Sequence, residues 1–532
     1  MRSFFFIGAF VATAFLACSS SSETGAAPPP DAAASDTPDA ATSDTATSAQ
    51  PLTWAPCDTK DWPDGFAPPP ATVRCTTVTV PFDHAHPEDG RTLKLRVARD
   101  PSRALPSGGG GMAKAVFQLA GGPGGTSVGQ AGTIPRYMPK LLDQFDLVYV
   151  DQRGTGGSGY LDCKSGYPST KDEWIACAGE HAKDDLAGYL TVQAAHDLES
   201  VRKALGYGKI NIRGGSYGTR LGLEYLRQHE SSVNAVVLDG VDPPNNTFFR
   251  DFIVAVDRGV ARLASDCKNS PECAAITPDV LADLTKHRAA VKAAPRSILA
   301  DGAATKEDEA TFLSVLGAAV FEASTYYRVP RAIHGAASGD FVAWDALMSD
   351  TLGQTISEPM HAQLRGTSSA ASSVPARGLR PTRRMRGTSY VAPGLYMTVI
   401  CAEDLPGSGT VDALRTLDAS QSWGGDPNIV DIAQACAAWK VPALAASLRA
   451  PVLSQAKVLL LNGDLDLNTF PEWGARAAAT LPHAKNVVVP HATHSTMSIP
   501  CVGQIITDFI VKDGDAANVD MSCVDHLAPP VW

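Results

Sequence analysis

Positive charge is scarce in this chain. Its 532 residues carry 45 lysines and arginines against 56 aspartates and glutamates, a formal net charge of −11. Nucleic-acid binding needs a basic face, so that class of partner is excluded. There is no Cys-x-x-Cys pair and no His/Cys cluster at zinc-ligand spacing, so neither a metal nor a cofactor is expected. The Lys-Ser/Thr that completes a P-loop is also missing, which sets aside a nucleotide reading of the glycine-rich "DQRGTGGSG" at 151–159. No repeat of fixed period is present. The apolar run from Phe4 to Leu16 is too short to span a bilayer.

That run follows Arg2 and ends in "FLAC", the pattern of a signal peptide over 1–18. The ending resembles a bacterial lipobox, with Cys18 as the lipidated residue. Ser19 and Ser20 follow it rather than Asp, which by analogy points to outer-membrane or surface sorting. Without lipidation the chain would be periplasmic or secreted, so any membrane contact is through this anchor alone. Residues 19–51 are mainly Ala, Ser, Thr, Pro and Asp, without Lys, Arg or a large apolar side chain. Such a segment cannot bury enough surface to offset its ordering entropy, and reads as a flexible tether. Of eleven cysteines, ten remain without Cys18, an even number suited to five disulfides in an oxidising compartment. Proximity in sequence suggests Cys57–Cys75, Cys163–Cys177, Cys267–Cys273, Cys401–Cys436 and Cys501–Cys523.

From about residue 71, short apolar runs alternate with helical stretches. "KAVFQLA" and "FDLVYVD" read as buried strands ending in glycine-rich loops, "KINIR" and "NAVVLDG" as further strands, and "AAHDLESVRKALGY" and "YGTRLGLEYLRQH" as helices. The pattern implies a mostly parallel sheet covered on both faces. After "VDPPNN" the chain turns Ala-rich and helix-periodic, passes through a basic loop at 365–390, and returns to strands at "AKVLLLNGD" and "KNVVVPHATH". The expected division is a core over 52–245, a helical cap over 246–450, and the rest of the core over 451–532.

Chemistry concentrates at "GGSYG" (214–218), which fits G-x-S-x-G with Ser216 between a strand and a helix. A serine hydroxyl is a weak nucleophile and needs exposure on a tight turn beside a base. The acid partner is expected after a late strand. "GDLDLNTFP" offers Asp466, with Asp464 as the alternative; "PHATHS" offers His494 as base, with His491 beside it. An oxyanion hole requires backbone N–H groups: Tyr217, which follows the nucleophile, and Gly122 in "LAGGPGGTS".

Taken together, "GGPGG", "DQRGTGGSG", "GGSYGTRLGLEY", "LDGVDPP", "CAEDLP" and "GDLDLNTFP" resemble the secreted α/β-hydrolase peptidases related to proline iminopeptidase and tripeptidyl aminopeptidase. The resemblance implies an α/β-hydrolase fold whose large helical cap is inserted before the last strands. It implies an exopeptidase acting on peptides with a free N-terminus. Ser216, Asp466 and His494 match the family's triad, Gly122 and Tyr217 its oxyanion donors. "CAED" stands where the family places acids for the substrate's ammonium, giving Glu403 first and Asp404 second. Ala120 and "NTFP" depart from the commoner patterns without removing a catalytic group. The competing expectations are a carboxylic ester hydrolase on the same fold, and a binding protein that lacks catalysis. Oligomeric state is not legible.

Overall fold

The computed structural model describes residues 52–59, 62, 66–103, 114–353, 356–357 and 391–532. The expected signal peptide with Cys18, the expected tether and the basic loop at 365–390 lie outside these. The described residues form one compact unit.

Its centre is a nine-stranded sheet. The strands are β1 (Ala55–Pro56), β2 (Arg74–Pro81), β3 (Thr92–Asp100), β4 (Lys114–Leu119), β5 (Phe145–Val150), β6 (Ile210–Gly215) and β7 (Val233–Asp239). Three more, β8 (Arg296–Ala300), β9 (Ala303–Glu307) and β10 (Ile356–Ser357), lie apart, before β11 (Lys457–Gly463) and β12 (Ala484–Val489) complete the chain's set. The order across the large sheet is β1-β2-β3-β5-β4-β6-β7-β11-β12. The β1–β2, β2–β3 and β3–β5 pairs are antiparallel, and every pair from β5 to β12 is parallel.

The parallel strands read as unbroken apolar runs because both faces are covered. Within each run, alternate residues still choose opposite sides. Phe117, Ile212, Leu238 and Leu460 pack on the helices Thr191–Ala204 and Tyr217–His229 through Leu198, Val201, Leu221 and Leu226. Their neighbours Val116, Val237, Leu459 and Leu461 meet Ile505, Ile506 and Phe509 of the helix Pro500–Val511 on the other face.

Between β7 and β11 the described residues are mainly helical, and they pack in two apolar clusters shared with core residues such as Leu161, Trp174, Leu467 and Trp473. It is not wholly helical, as the Ala-rich composition suggested. β8 and β9 form an antiparallel hairpin, extended by β10. The cause is local: Asp301 and Gly302 both take positive φ, 49° and 80°, the backbone of a tight two-residue hairpin turn. All five cysteine pairs suggested by proximity are disulfides in the structure. Among the described residues no helix is long and apolar enough to cross a membrane.

Candidate active site

Ser216 stands at the junction of β6 and the helix Tyr217–His229, with φ 54° and ψ −130°. A non-glycine residue at positive φ is strained, and its neighbours explain how the turn holds. A Cβ on Gly214 would lie 2.4 Å from the Gly218 carbonyl oxygen, and one on Gly218 would lie 2.4 Å from that of Leu119. Only glycine fits at either place. The Ser216 N–H donates to the Asp239 carbonyl at 2.9 Å, and the Thr219 hydroxyl donates to the Ser216 carbonyl at 2.7 Å.

The loop after β11 carries Asp466, which is 1% exposed. One carboxylate oxygen accepts the N–H groups of Asn468 (2.8 Å) and Thr469 (2.9 Å). The other accepts the Thr469 hydroxyl at 2.8 Å and lies 2.9 Å from His494 Nδ1. An ionised carboxylate only accepts, so Nδ1 carries the proton and Nε2 keeps its lone pair. Burial disfavours the imidazolium, but the adjacent Asp466 charge and hydrogen bond outweigh it and raise the His494 pKa. Gly240, at φ 71°, makes room for the ring: a Cβ there would sit 3.0 Å from His494 Cε1. Ser216 and His494 thus border the same Asp239–Gly240 link.

The two alternatives are engaged elsewhere. Asp464 is paired with Arg262 at 2.8 Å, and His491 Nδ1 lies 2.8 Å from the Tyr327 hydroxyl. Asp464, Asp466, Arg262, Val320 and Tyr326 are among the residues lining a cavity of about 260 Å³ between the acid loop and the cap.

The loop after β4 abuts Ser216. A Cβ on Gly121 would fall 2.8 Å from Ser216 Cβ, and one on Gly122 (φ 127°) would fall 2.7 Å from the Gly124 nitrogen. The rejected nucleotide motif has a different use here. Asp151, fully buried, accepts the Thr126 hydroxyl at 2.6 Å and the N–H groups of Val128 (2.9 Å) and Gly157 (3.0 Å). It therefore fastens the loop that contains Gly122. Arg153 beside it is equally buried and doubly bonded to Asp197 at 2.7 and 2.6 Å.

Glu403 and Asp404 lie in a π-helical turn, Ile400–Asp404, and each is 4% exposed. Glu403 accepts the Thr191 N–H (2.9 Å) and hydroxyl (2.8 Å) and stands 3.6 Å from Arg220. Arg220 also meets Asp404 at 2.6 Å and Asp242 at 2.9 Å. Three carboxylates thus surround one guanidinium. Burial, partly countered by Arg220, pushes Glu403 up to about 7 and Asp404 up to about 6. The Tyr217 hydroxyl, 2.6 Å from the Thr191 hydroxyl, connects this cluster to the residue after Ser216.

Two participants escape a sequence reading. Arg220 lies one helical turn beyond Ser216, so only the helix period hints that it shares that side. Glu322, exposed at the end of the cap helix Glu309–Phe321, has its carboxyl pushed up by partial desolvation, with His494 lowering it and Asp466 raising it. Nothing local in "VFEAST" signals that proximity.

A sheet of this order, with a serine on a strand-to-helix turn and a paired Asp and His after the last strands, defines an α/β hydrolase. The chain belongs to that family: the family model for the alpha/beta hydrolase fold matches residues 114–498. It is 31% identical over 220 residues to serine protease Hip1 of Mycobacterium bovis, covering 37% of this chain and 40% of that one. It is 28% identical over 211 residues to tripeptidyl aminopeptidase of Streptomyces lividans, covering 35% and 38%. With proline iminopeptidase of Neisseria gonorrhoeae the figures are 35% over 130 residues, 24% and 32%. The chain therefore matches less than half the length of each relative. Among solved structures, proline iminopeptidase of Mycobacterium smegmatis aligns with a TM-score of 0.37 at 16% identity, over 83% of this chain and 100% of that one.

Proposed function

We propose that the protein is a serine exopeptidase that hydrolyses peptide bonds near a free N-terminus through Ser216, His494 and Asp466. The observation that carries this reading is the His494 Nδ1–Asp466 contact of 2.9 Å, set beside the glycine-flanked turn of Ser216. In the reaction, His494 Nε2 takes the Ser216 proton as Oγ attacks the scissile carbonyl, then gives it to the leaving amine. Water activated by the same nitrogen releases the acyl group. Asp466 keeps the proton on Nδ1 and stabilises the imidazolium. The N–H groups of Gly122 and Tyr217 receive the oxyanion.

Peptide specificity rests on charge. Asp242, Glu403 and Asp404 outnumber Arg220, and Glu322 on the cap adds a charge that is felt at His494. A substrate ammonium supplies the missing positive charge. The five disulfides fit an oxidising compartment, consistent with export and anchoring at Cys18. The second reading, an ester hydrolase, draws on the engagement of Glu403 and Asp404 by Thr191 and Arg220, which leaves both acids already partnered.

Matched chromogenic anilides with free and acetylated N-termini, tested beside a p-nitrophenyl ester with Ser216→Ala as blank, separate the two. Cleavage restricted to free-amine anilides is the expected result. Equal cleavage of acetylated anilides would overturn the need for a free N-terminus, and turnover of the ester alone would establish the esterase.

A further inference from the structure

We infer that Asp239 is a positioning residue that fixes the histidine loop against the nucleophile turn. Asp239 ends β7 and pairs with Gly215 on one side and Leu461 on the other, so it sits at the carboxyl edge of the sheet between the serine and acid strands. Its carbonyl accepts the Ser216 N–H at 2.9 Å. Its carboxylate reaches the segment just beyond His494: Oδ1 accepts the Thr496 N–H (2.9 Å) and hydroxyl (2.8 Å), and Oδ2 accepts the Met497 N–H at 3.2 Å. Arg213, from the nucleophile strand, donates to Oδ2 at 2.7 Å.

Asp239 and Arg213 are 1% and 3% exposed, and Thr496 is 1% exposed. Four hydrogen bonds fix the carboxylate's orientation, and a buried carboxylate so held does not exchange partners freely. The chain needs such a tie, because Ser495 adopts the left-handed conformation (φ 69°) immediately after His494. Without an anchor on Thr496, that turn would relax and carry the imidazole away from Ser216. The next residue, Gly240, supplies the space the ring occupies. A single dipeptide therefore bonds the serine's backbone, bonds the histidine's loop and seats the imidazole. Asp239 touches no reacting atom in this arrangement. It acts through the distance between two groups that do.

The charge has a second effect. His494 faces Asp466, Asp239 and Glu322, each of which favours its imidazolium against burial. Neutralising Asp239 removes one of these charges and lowers the His494 pKa, so the acidic limb of the rate profile moves to lower pH.

The inference rests on the proposed triad, and its test keeps the two separable. Phosphonylation by a fluorophosphonate and hydrolysis of a p-nitrophenyl ester are measured for wild type, Ser216→Ala, Asp239→Asn, Thr496→Val and Thr496→Ser. Asp239→Asn is expected to slow both reactions at least about tenfold, with KM within about twofold and the acidic limb displaced to lower pH. Thr496→Val, which keeps the backbone N–H and spares the fold if Asp239→Asn does not, is expected to slow them about three- to tenfold with an unmoved limb. Thr496→Ser should restore the wild-type rate. Wild-type rates and pH profiles in both Asp239→Asn and Thr496→Val would overturn the role of Asp239. A wild type that labels no faster than Ser216→Ala would instead overturn the triad.

Discussion

At the scale of single residues, the site depends on where a side chain is absent as much as on where one is present. Gly240 illustrates this. An alanine there would place its Cβ 3.0 Å from both His494 Cε1 and the Thr469 hydroxyl oxygen, at a φ of 71°. The left-handed conformation alone costs about 1–2 kcal/mol with a Cβ. The added contact pushes on the base and on the hydroxyl that supports the acid. Gly240→Ala is therefore expected to lose kcat out of proportion to the modest fall in stability. Thermal unfolding measured beside turnover checks this, and a variant that is destabilised yet fully active would refute it. His494 supports a second expectation. Its pKa is raised, and it must be neutral to accept the Ser216 proton. Activity should rise with pH through a midpoint above 6.5, and Glu322→Gln, which removes one of the charges responsible, should move that midpoint down. A limb that stays in place in Glu322→Gln means that its carboxylate does not act on His494.

Among the elements, legibility followed the range of the interactions. The Ser216 turn could be read because its determinants, Gly214 and Gly218, lie within two residues. Asp466 and His494, proposed from the order in which strands deliver such groups, pair with each other, while Asp464 and His491 meet Arg262 and Tyr327 on the cap. The Arg220 and Asp239 networks were not legible, since their partners come from segments far apart in the chain. The β8–β9 hairpin was hidden by the Ala-rich composition around it, although Asp301–Gly302 is a hairpin signal in itself. That hairpin delivers Glu307, fully buried, to the cap interior. There it accepts from His287 Nε2 (2.9 Å), Trp344 Nε1 (2.7 Å) and Arg296 Nε (2.8 Å). Burial alone would raise its pKa, but His287 and Arg296 prevail and lower it. The stabilisation is thus present above about 4.5, the ordinary value, and lost as pH falls through the folded one. Removing one partner of a buried pair leaves uncompensated charge, so Glu307→Ala should cost about 3–5 kcal/mol. Urea unfolding at pH 7 measures it; a loss below about 1 kcal/mol would show that the knot is dispensable.

For the whole molecule, acid would act on the proposed activity in two ways, each through different groups. One is protonation of His494, a local event. The other is loss of the seam between the helices Thr191–Ala204 and Tyr217–His229, the second of which begins beside the nucleophile. His196 Nδ1 and His229 Nε2 meet at 3.0 Å across that seam, and a bond between two imidazoles requires an unprotonated acceptor. Burial lowers both, helped by their mutual repulsion for His229 and by His84 for His196, and brings His229 down to about 4. Their folded values lie below the unfolded one, so the unfolded chain takes up protons first. Stability is complete above about 6.5 and falls as pH drops toward 4. Glu199, at about 2 because Arg202 and Tyr225 overcome its burial, contributes in a lower window, between about 4.5 and 2. The melting temperature should therefore decline between pH 6.5 and 4, and His229→Gln should flatten that decline while leaving the His494-controlled rate profile in place. If His229→Gln melts with the same pH dependence as the wild type, the seam is not what acid attacks. If it shifts the rate profile instead, the helix behind Ser216 transmits its state to His494.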